Sequence, residues 1–155
     1  MDERRVPQDA EYWLALVHAP GLSPAAIRVL FDHFPSPRHV CTAGAGRLQA
    51  LGLKPETIAG ILRPARDRIL ADLAWLEIPG HHLLTCRDPA YPSLLSRIAD
   101  PPAVLYVKGN LAALGATHIA VVGSRTPSPG GRRIAREFAS MLGLAGLCVT
   151  SGLAL

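Results

Sequence analysis

The sequence predicts an α/β chain in two parts, an all-helical segment over residues 1–80 and the first portion of a parallel-sheet domain over residues 81–155. Three observations predict it. The first half is a run of short helical patterns punctuated by Pro and Gly. After Gly80 the pattern switches to short apolar runs of strand character. Near the end, the apolar runs Ile119–Val122 and Leu147–Thr150 flank one amphipathic stretch, Arg132–Leu144. That order is a βαβ unit, so the two strands run parallel with a right-handed crossover.

Gln8–Val17 reads as a short helix with Trp13, Leu14 and Val17 on one face, broken by Pro20-Gly21-Leu22-Ser23-Pro24. Ser23 is placed to cap a helix over Ala25–Phe34, with Pro24 at its first position and Pro35-Ser-Pro37 ending it. A short turn over Arg38–Thr42 follows, then a helix over Ala45–Leu51 closed by Gly52. Lys54-Pro-Glu-Thr57 opens another helix, which Pro64 either interrupts or restarts, and helical spacing continues through Ile69, Leu73, Trp75 and Leu76 to Pro79-Gly80. Two pieces of this half repeat: Ala19-Pro-Gly-Leu-Ser-Pro-Ala-Ala-Ile27 and Ala50-Leu-Gly-Leu-Lys-Pro-Glu-Thr-Ile58. The repeat looks like a SAM-like or helix-hairpin-helix-like arrangement, in which a Gly-containing hairpin joins two helices. Such a Gly either lets backbone amides approach a phosphate or makes a tight connector. The connector reading is favoured by charge, since residues 1–80 carry nine basic and nine acidic side chains. In the second half, His81–Thr85 and Val104–Val107 are the first two strand candidates.

Residues 81–155 carry seven basic and three acidic side chains, so the whole formal excess of +4 lies there. Arg125, Arg132 and Arg133 flank one glycine-punctuated loop, an asymmetry that fits an anionic partner. No apolar run is long enough to span a bilayer, and Met1–Arg5 leads into no signal core, which sets the expectation of a cytoplasmic protein with no membrane partner. The three cysteines, Cys41, Cys86 and Cys148, are widely spaced, and the six histidines form no ligand pattern, so neither a metal nor a cofactor is expected. Cys148 lies in an apolar run, where a buried, inert thiol is expected. His81-His82, adjacent in a strand, are expected on opposite faces, and His118 as an edge residue.

The stretch His118-Ile-Ala-Val-Val-Gly-Ser-Arg-Thr-Pro-Ser-Pro-Gly-Gly131 concentrates the functional signal. It reads as a buried strand, a Gly/Ser loop and a helix N-terminus, which together present amide N–H groups and a positive dipole end to an anion. Arg125 stands in that loop, where a guanidinium can share the same phosphate or carboxylate. The loop has no lysine and so is not a P-loop, and Gly123-Ser124-Arg125 does not match the dinucleotide fingerprint. Thr150-Ser151 stands where a ribose-binding acid would close the second strand, which disfavours a dinucleotide oxidoreductase. No nucleophile, base and orienting group come together, so no catalysis is expected. The bland alternative is that Gly123 and Gly131 only make turns and Arg125 is a solvated charge.

Tyr91-Pro92, Leu95, Ile98 and Asp100-Pro-Pro-Ala-Val-Leu-Tyr-Val-Lys-Gly109, read with Val122-Gly-Ser-Arg125 and Ser151-Gly-Leu-Ala154, closely resemble the DprA/Smf family of DNA-processing proteins. The resemblance covers essentially the whole chain and is strongest from Tyr91 onward. It implies a SAM-like helical domain joined to an extended Rossmann-like domain that binds single-stranded DNA and brings the recombinase RecA onto incoming strands in natural transformation, without enzymatic activity and as a homodimer in the full-length protein. It implies further that Gly123, Ser124, Arg125, Ser128, Gly131 and Arg132 hold DNA phosphates, with Ser151 and Gly152 opposite. This chain departs from the family's pattern at Thr126 and Gly130, both at the loop tip. Family members continue Ser-Gly-Leu-Ala-x into Gly-Ile-Asp, so the resemblance leads to the expectation of a fragment that is poorly stable or inactive alone. Two other classes stand beside this reading. One is a Rossmann-like nucleotide-processing enzyme resembling phosphoribohydrolases, of which Pro129-Gly130-Gly131 is a superficial echo. The other is an interaction module in the helical half.

Overall fold

The computed structural model describes residues 5–152. The chain divides into two compact units, one running to Leu111 and one starting at Ala112. The first contains α1 (Ala10–Val17), α2 (Pro24–His33), α3 (Pro37–Cys41), α4 (Ala45–Ala50), α5 (Pro55–Leu62), α6 (Arg66–Leu76), β1 (His81–Thr85) and β2 (Val104–Lys108). The second contains β3 (His118–Ala120), α7 (Pro129–Leu144) and β4 (Cys148–Thr150). The molecule is therefore mixed helix and sheet. Among the described residues no helix is long and apolar enough to cross a membrane.

Local chemistry explains most helix starts in the first unit. Ser23 Oγ accepts from the Ala26 amide at 3.2 Å and Pro24 takes the first turn of α2. Ser36 and Pro37 repeat that device, which turns the expected turn over Arg38–Thr42 into the helix α3. Pro64 separates two helices, α5 and α6. The two sequence repeats meet in space. Gly21 and Gly52 both adopt positive φ, +69° and +80°, and Thr57 Oγ1 of the second repeat donates to the Pro20 carbonyl of the first at 2.7 Å. Gly60 lies against the same turn, where a Cβ would overlap the Pro20 ring.

The core of this unit is formed by Trp13, Leu14, Leu16, Leu30, Val40, Leu48, Ile61 and Leu76, with Leu83 of β1 joining them. Trp13 packs edge-on against Phe31 with ring centroids 4.9 Å apart. The change from helix to strand falls at Gly80 as expected, but the compact unit does not end there. β1 pairs antiparallel with β2, from His81 opposite Lys108 to Thr85 opposite Val104, and this hairpin packs on α6. All five residues of β1 are buried, both histidines included. His81 stacks on Trp75 with centroids 3.9 Å apart, and its Nδ1 lies 2.8 Å from the Trp75 carbonyl. His82 Nδ1 accepts from the Arg5 amide at 3.1 Å and its Nε2 lies 3.1 Å from the Gly109 carbonyl. A ring held this way donates from Nε2 and accepts at Nδ1, so both of its nitrogens are satisfied inside the core.

In the second unit β3 and β4 pair parallel, His118 opposite Cys148 and Ala120 opposite Thr150, with α7 between them in sequence. The parallel pairing expected of the βαβ order is confined to these two strands. The expectation of buried strands is not met: none of the described residues from Ala112 onward is buried, and Val122 is 89% exposed. Two short strands and one helix can cover one face of the sheet and leave the other without a second layer. Cys148 is consequently half-buried rather than enclosed.

Candidate functional site

The candidate site is built on the end of the β3–β4 pair. The Val121 amide donates to the Thr150 carbonyl at 2.9 Å, which carries the parallel register one residue past β3. Parallel strands bring their carboxyl ends to one edge, so the loop after β3 (Val122–Pro127) and Ser151-Gly152 after β4 leave on the same side. That edge is where open α/β sheets receive ligands. Gly123, Ser124, Arg125, Ser151 and Gly152 are all exposed there.

The loop is shaped by its own hydroxyls. Ser124 Oγ accepts from the Thr126 amide at 3.1 Å, a local turn that folds the loop back on itself. Ser128 Oγ accepts from the Gly131 amide at 3.1 Å and caps α7, with Pro129 at the first helical position. The Gly131 amide is thereby taken up by the cap, although the Ser128 hydroxyl hydrogen stays available as a donor. Gly130 stands between them. Pro129 has no N–H and Gly131 is bonded to Ser128, which leaves the Gly130 amide without a partner among the described residues. The amides of Gly123, Ser124 and Arg125 are likewise unbonded among those residues. Gly130 is the position the sequence reading missed. The signal was present in Ser128-Pro129-Gly130-Gly131, because a serine cap reaches the third amide and a proline removes the first.

Backbone conformation does not require glycine at these positions of the site. Gly123, Gly131 and Gly152 are not among the positive-φ glycines, and a Cβ at Gly123 or Gly152 would meet nothing within 4 Å. At Gly131 a Cβ would come 3.3 Å from Ser128 Oγ. Turn-making therefore does not account for Gly123, and the space beside its backbone is open.

The electrostatics favour an anion. From Ala112 onward Arg125, Arg132, Arg133 and Arg136 face Glu137 as the single acid, and Glu137 lies 3.8 Å from Arg133 one turn back. Arg125 and Arg132 have no carboxylate partner among the described residues. α7 adds the positive end of a 16-residue helix at Ser128. His118 Nδ1 lies 2.8 Å from Thr150 Oγ1 across the two strands, a contact that ties β3 to β4. Among the described residues no three of His, Cys, Asp and Glu gather as metal ligands. Cys41 and Cys86 are poor nucleophiles: burial, helped by Glu11, pushes Cys41 up to about 12, and burial raises Cys86 against the pull of Arg87 and Arg28.

A helix joining two parallel strands, with a glycine- and arginine-bearing loop at their carboxyl edge, places this unit in the α/β class. Comparison with known proteins makes this specific. Residues 82–155 match the family model described as DNA recombination-mediator protein A. Protein Smf of Escherichia coli (strain K12) is 36% identical over 146 residues, covering 94% of this chain and 38% of that protein. Protein Smf of Synechocystis sp. is 31% identical over 154 residues, covering 92% of this chain and 37% of that protein. DNA processing protein DprA of Bacillus subtilis (strain 168) is 34% identical over 92 residues, 59% of this chain and 30% of that protein. The chain belongs to the DprA/Smf family of DNA-processing proteins, and it spans under two fifths of the length of these relatives.

Proposed function

We propose that this chain binds single-stranded DNA through the loop after β3 and serves, with RecA as partner, to load that recombinase onto DNA without catalysis of its own. In this reading residues 1–80 are a SAM-like domain and residues 81–155 belong to a Rossmann-like DNA-binding domain that works as a homodimer in the cytoplasm. The observation that carries it is the Gly123-Ser124-Arg125 loop, whose amides and guanidinium have no hydrogen-bond or carboxylate partner among the described residues, with open space where a Cβ at Gly123 would stand. Membership of a DNA-processing family makes a nucleic-acid phosphate the anion such a loop would take.

Gly123, Ser124 and Arg125 form one side of the cradle, with the Gly130 amide and the Ser128 hydroxyl at the helix end. Gly131 keeps that end small, Arg132 adds charge from the first turn of α7, and Ser151 and Gly152 stand after β4. Backbone amides and arginines at such an edge read phosphate and sugar rather than base identity, so the binding is sequence-tolerant.

Two substitutions test the reading. Gly123→Ala meets no neighbour and should leave the unfolding midpoint within about 0.5 kcal/mol of the parent. The same change should weaken binding of a labelled oligothymidylate in fluorescence anisotropy. Arg125→Ala should lower the salt dependence of that binding by about 0.7 in the log–log slope, the share of one phosphate on a single strand. Parental affinity and slope in both variants would remove the loop from the interface.

A further inference from the structure

The first unit carries a cleft that the loop reading does not use. It measures about 550 Å³ and lies among α1, α3, α5 and α6. Its inner wall is aliphatic, formed by Ala15, Ile61, Ile69 and Leu73, and Leu70 at its edge is 58% exposed. The bank between α5 and α6 is cationic. Arg63 and Arg66 line the cleft, both exposed, and neither forms an ion pair among the described residues. Arg38 of α3 lies outside the lining, its guanidinium 5.9 Å from the ring centroid of Tyr12, a lining residue on α1.

The same bank offers unbonded amides. Ala65, the residue before α6, has no side-chain acceptor, and the Arg66 and Asp67 amides have no partner among the described residues. A carboxylate arriving there meets two guanidiniums and the start of an 11-residue helix. Glu11 lies on the opposite bank, on α1, so the negative group of a ligand is directed to the α5–α6 side. The Cys41 thiol stays neutral at the pH of the cell, because burial and Glu11 hold its proton, so the wall carries no competing thiolate.

We propose that this cleft is a docking groove for an acidic amphipathic segment of a partner protein, with an apolar side chain against Ile69, Leu70 and Leu73 and carboxylates on Arg63 and Arg66. Charge complementarity selects the acidic partner, and the aliphatic wall suits a leucine-like side chain. A nucleic-acid strand would call for several aromatic stacking faces, whereas the lining has one aromatic ring, Tyr12, beside an aliphatic wall.

The test uses the intact chain and a fluorescein-labelled helical peptide with leucines on one face and glutamates on the other. Its counterpart with lysine at every glutamate is the control. The acidic peptide should bind and the lysine peptide should not. Arg63→Glu with Arg66→Glu, both at exposed positions, should weaken the acidic peptide about tenfold, the summed effect of two surface charge contacts. Amide shifts on binding should centre on Ile69, Leu70 and Leu73. Equal affinity for both peptides, an unchanged affinity in the double variant, or shifts centred on the uncovered face of α7 would each overturn the proposal. Displacement of the peptide by oligothymidylate with the same residues perturbed would assign the groove to nucleic acid and overturn it equally.

Discussion

Up to Leu111 the chain buries apolar side chains in a continuous core, whereas from Ala112 onward no described residue is buried. Both regions are built from amphipathic elements. α1 sends Trp13, Leu14 and Leu16 into a core with at most 4% of each exposed. α7 places Ile134, Phe138 and Met141 at helical spacing on one face, and each is more than half exposed. The difference lies in the layers available rather than in the pattern. Six helices and a hairpin enclose one another, while one helix over two strands leaves apolar surface facing water. The first region is therefore where stability resides, and the second is where the strand-end loop with its exposed glycines and Arg125 resides.

The sharpest way to break this contrast is to truncate one aromatic in each region. Trp13→Ala should cost about 3–5 kcal/mol in denaturant unfolding, as expected of a buried aromatic. Phe138→Ala should change it by no more than about 0.5 kcal/mol, because Phe138 is 57% exposed. Comparable losses would mean that α7 is packed as tightly as α1. A smaller effect is expected where the two sequence repeats touch. Gly60→Ala forces a methyl into the Pro20 ring and should cost about 1–3 kcal/mol by the urea midpoint. An unchanged midpoint would show that the contact yields freely. A further effect is confined to alkaline pH. Cys41 is raised in the folded state from its ordinary value of 9.0 to about 12, so the unfolded chain loses this proton first. Its contribution is complete below pH 9 and declines as pH rises from there toward 12. Cys41→Ser should flatten the fall in melting temperature over that range, and an identical fall in both chains would reject the assignment.

Short-range chemistry made much of the fold readable. Ser23-Pro24 announces α2, Gly52 closes α4 and the helix–strand switch at Gly80 is abrupt, because caps and breakers act within one turn. The βαβ order also announced the parallel pairing of β3 with β4. What depended on long-range packing was not readable. Nothing in His81–Thr85 indicates that β1 pairs with β2 across the intervening segment, or that both histidines are buried by Trp75, Arg5 and Gly109. The apolar run Ile119–Val122 resembles a buried strand by composition alone, since burial depends on neighbours that the run itself does not specify. At the candidate site the strand, loop and helix order was legible, but the helix starts at Pro129 rather than at Arg132, because Ser128 caps it and Pro129 takes its first turn. The Gly130 amide emerged only when each first-turn donor of α7 was assigned an acceptor.

The most direct test of the division between a stable region and a binding region is amide chemical-shift mapping of the chain titrated with oligothymidylate. The shifts should centre on Gly123, Ser124, Arg125, Gly130 and Gly152, at the edge where β3 and β4 end, and should shrink as salt is raised. Shifts that instead cluster on the helices before Leu111, or no shifts at low salt, would contradict the assignment of the DNA-binding edge to this loop.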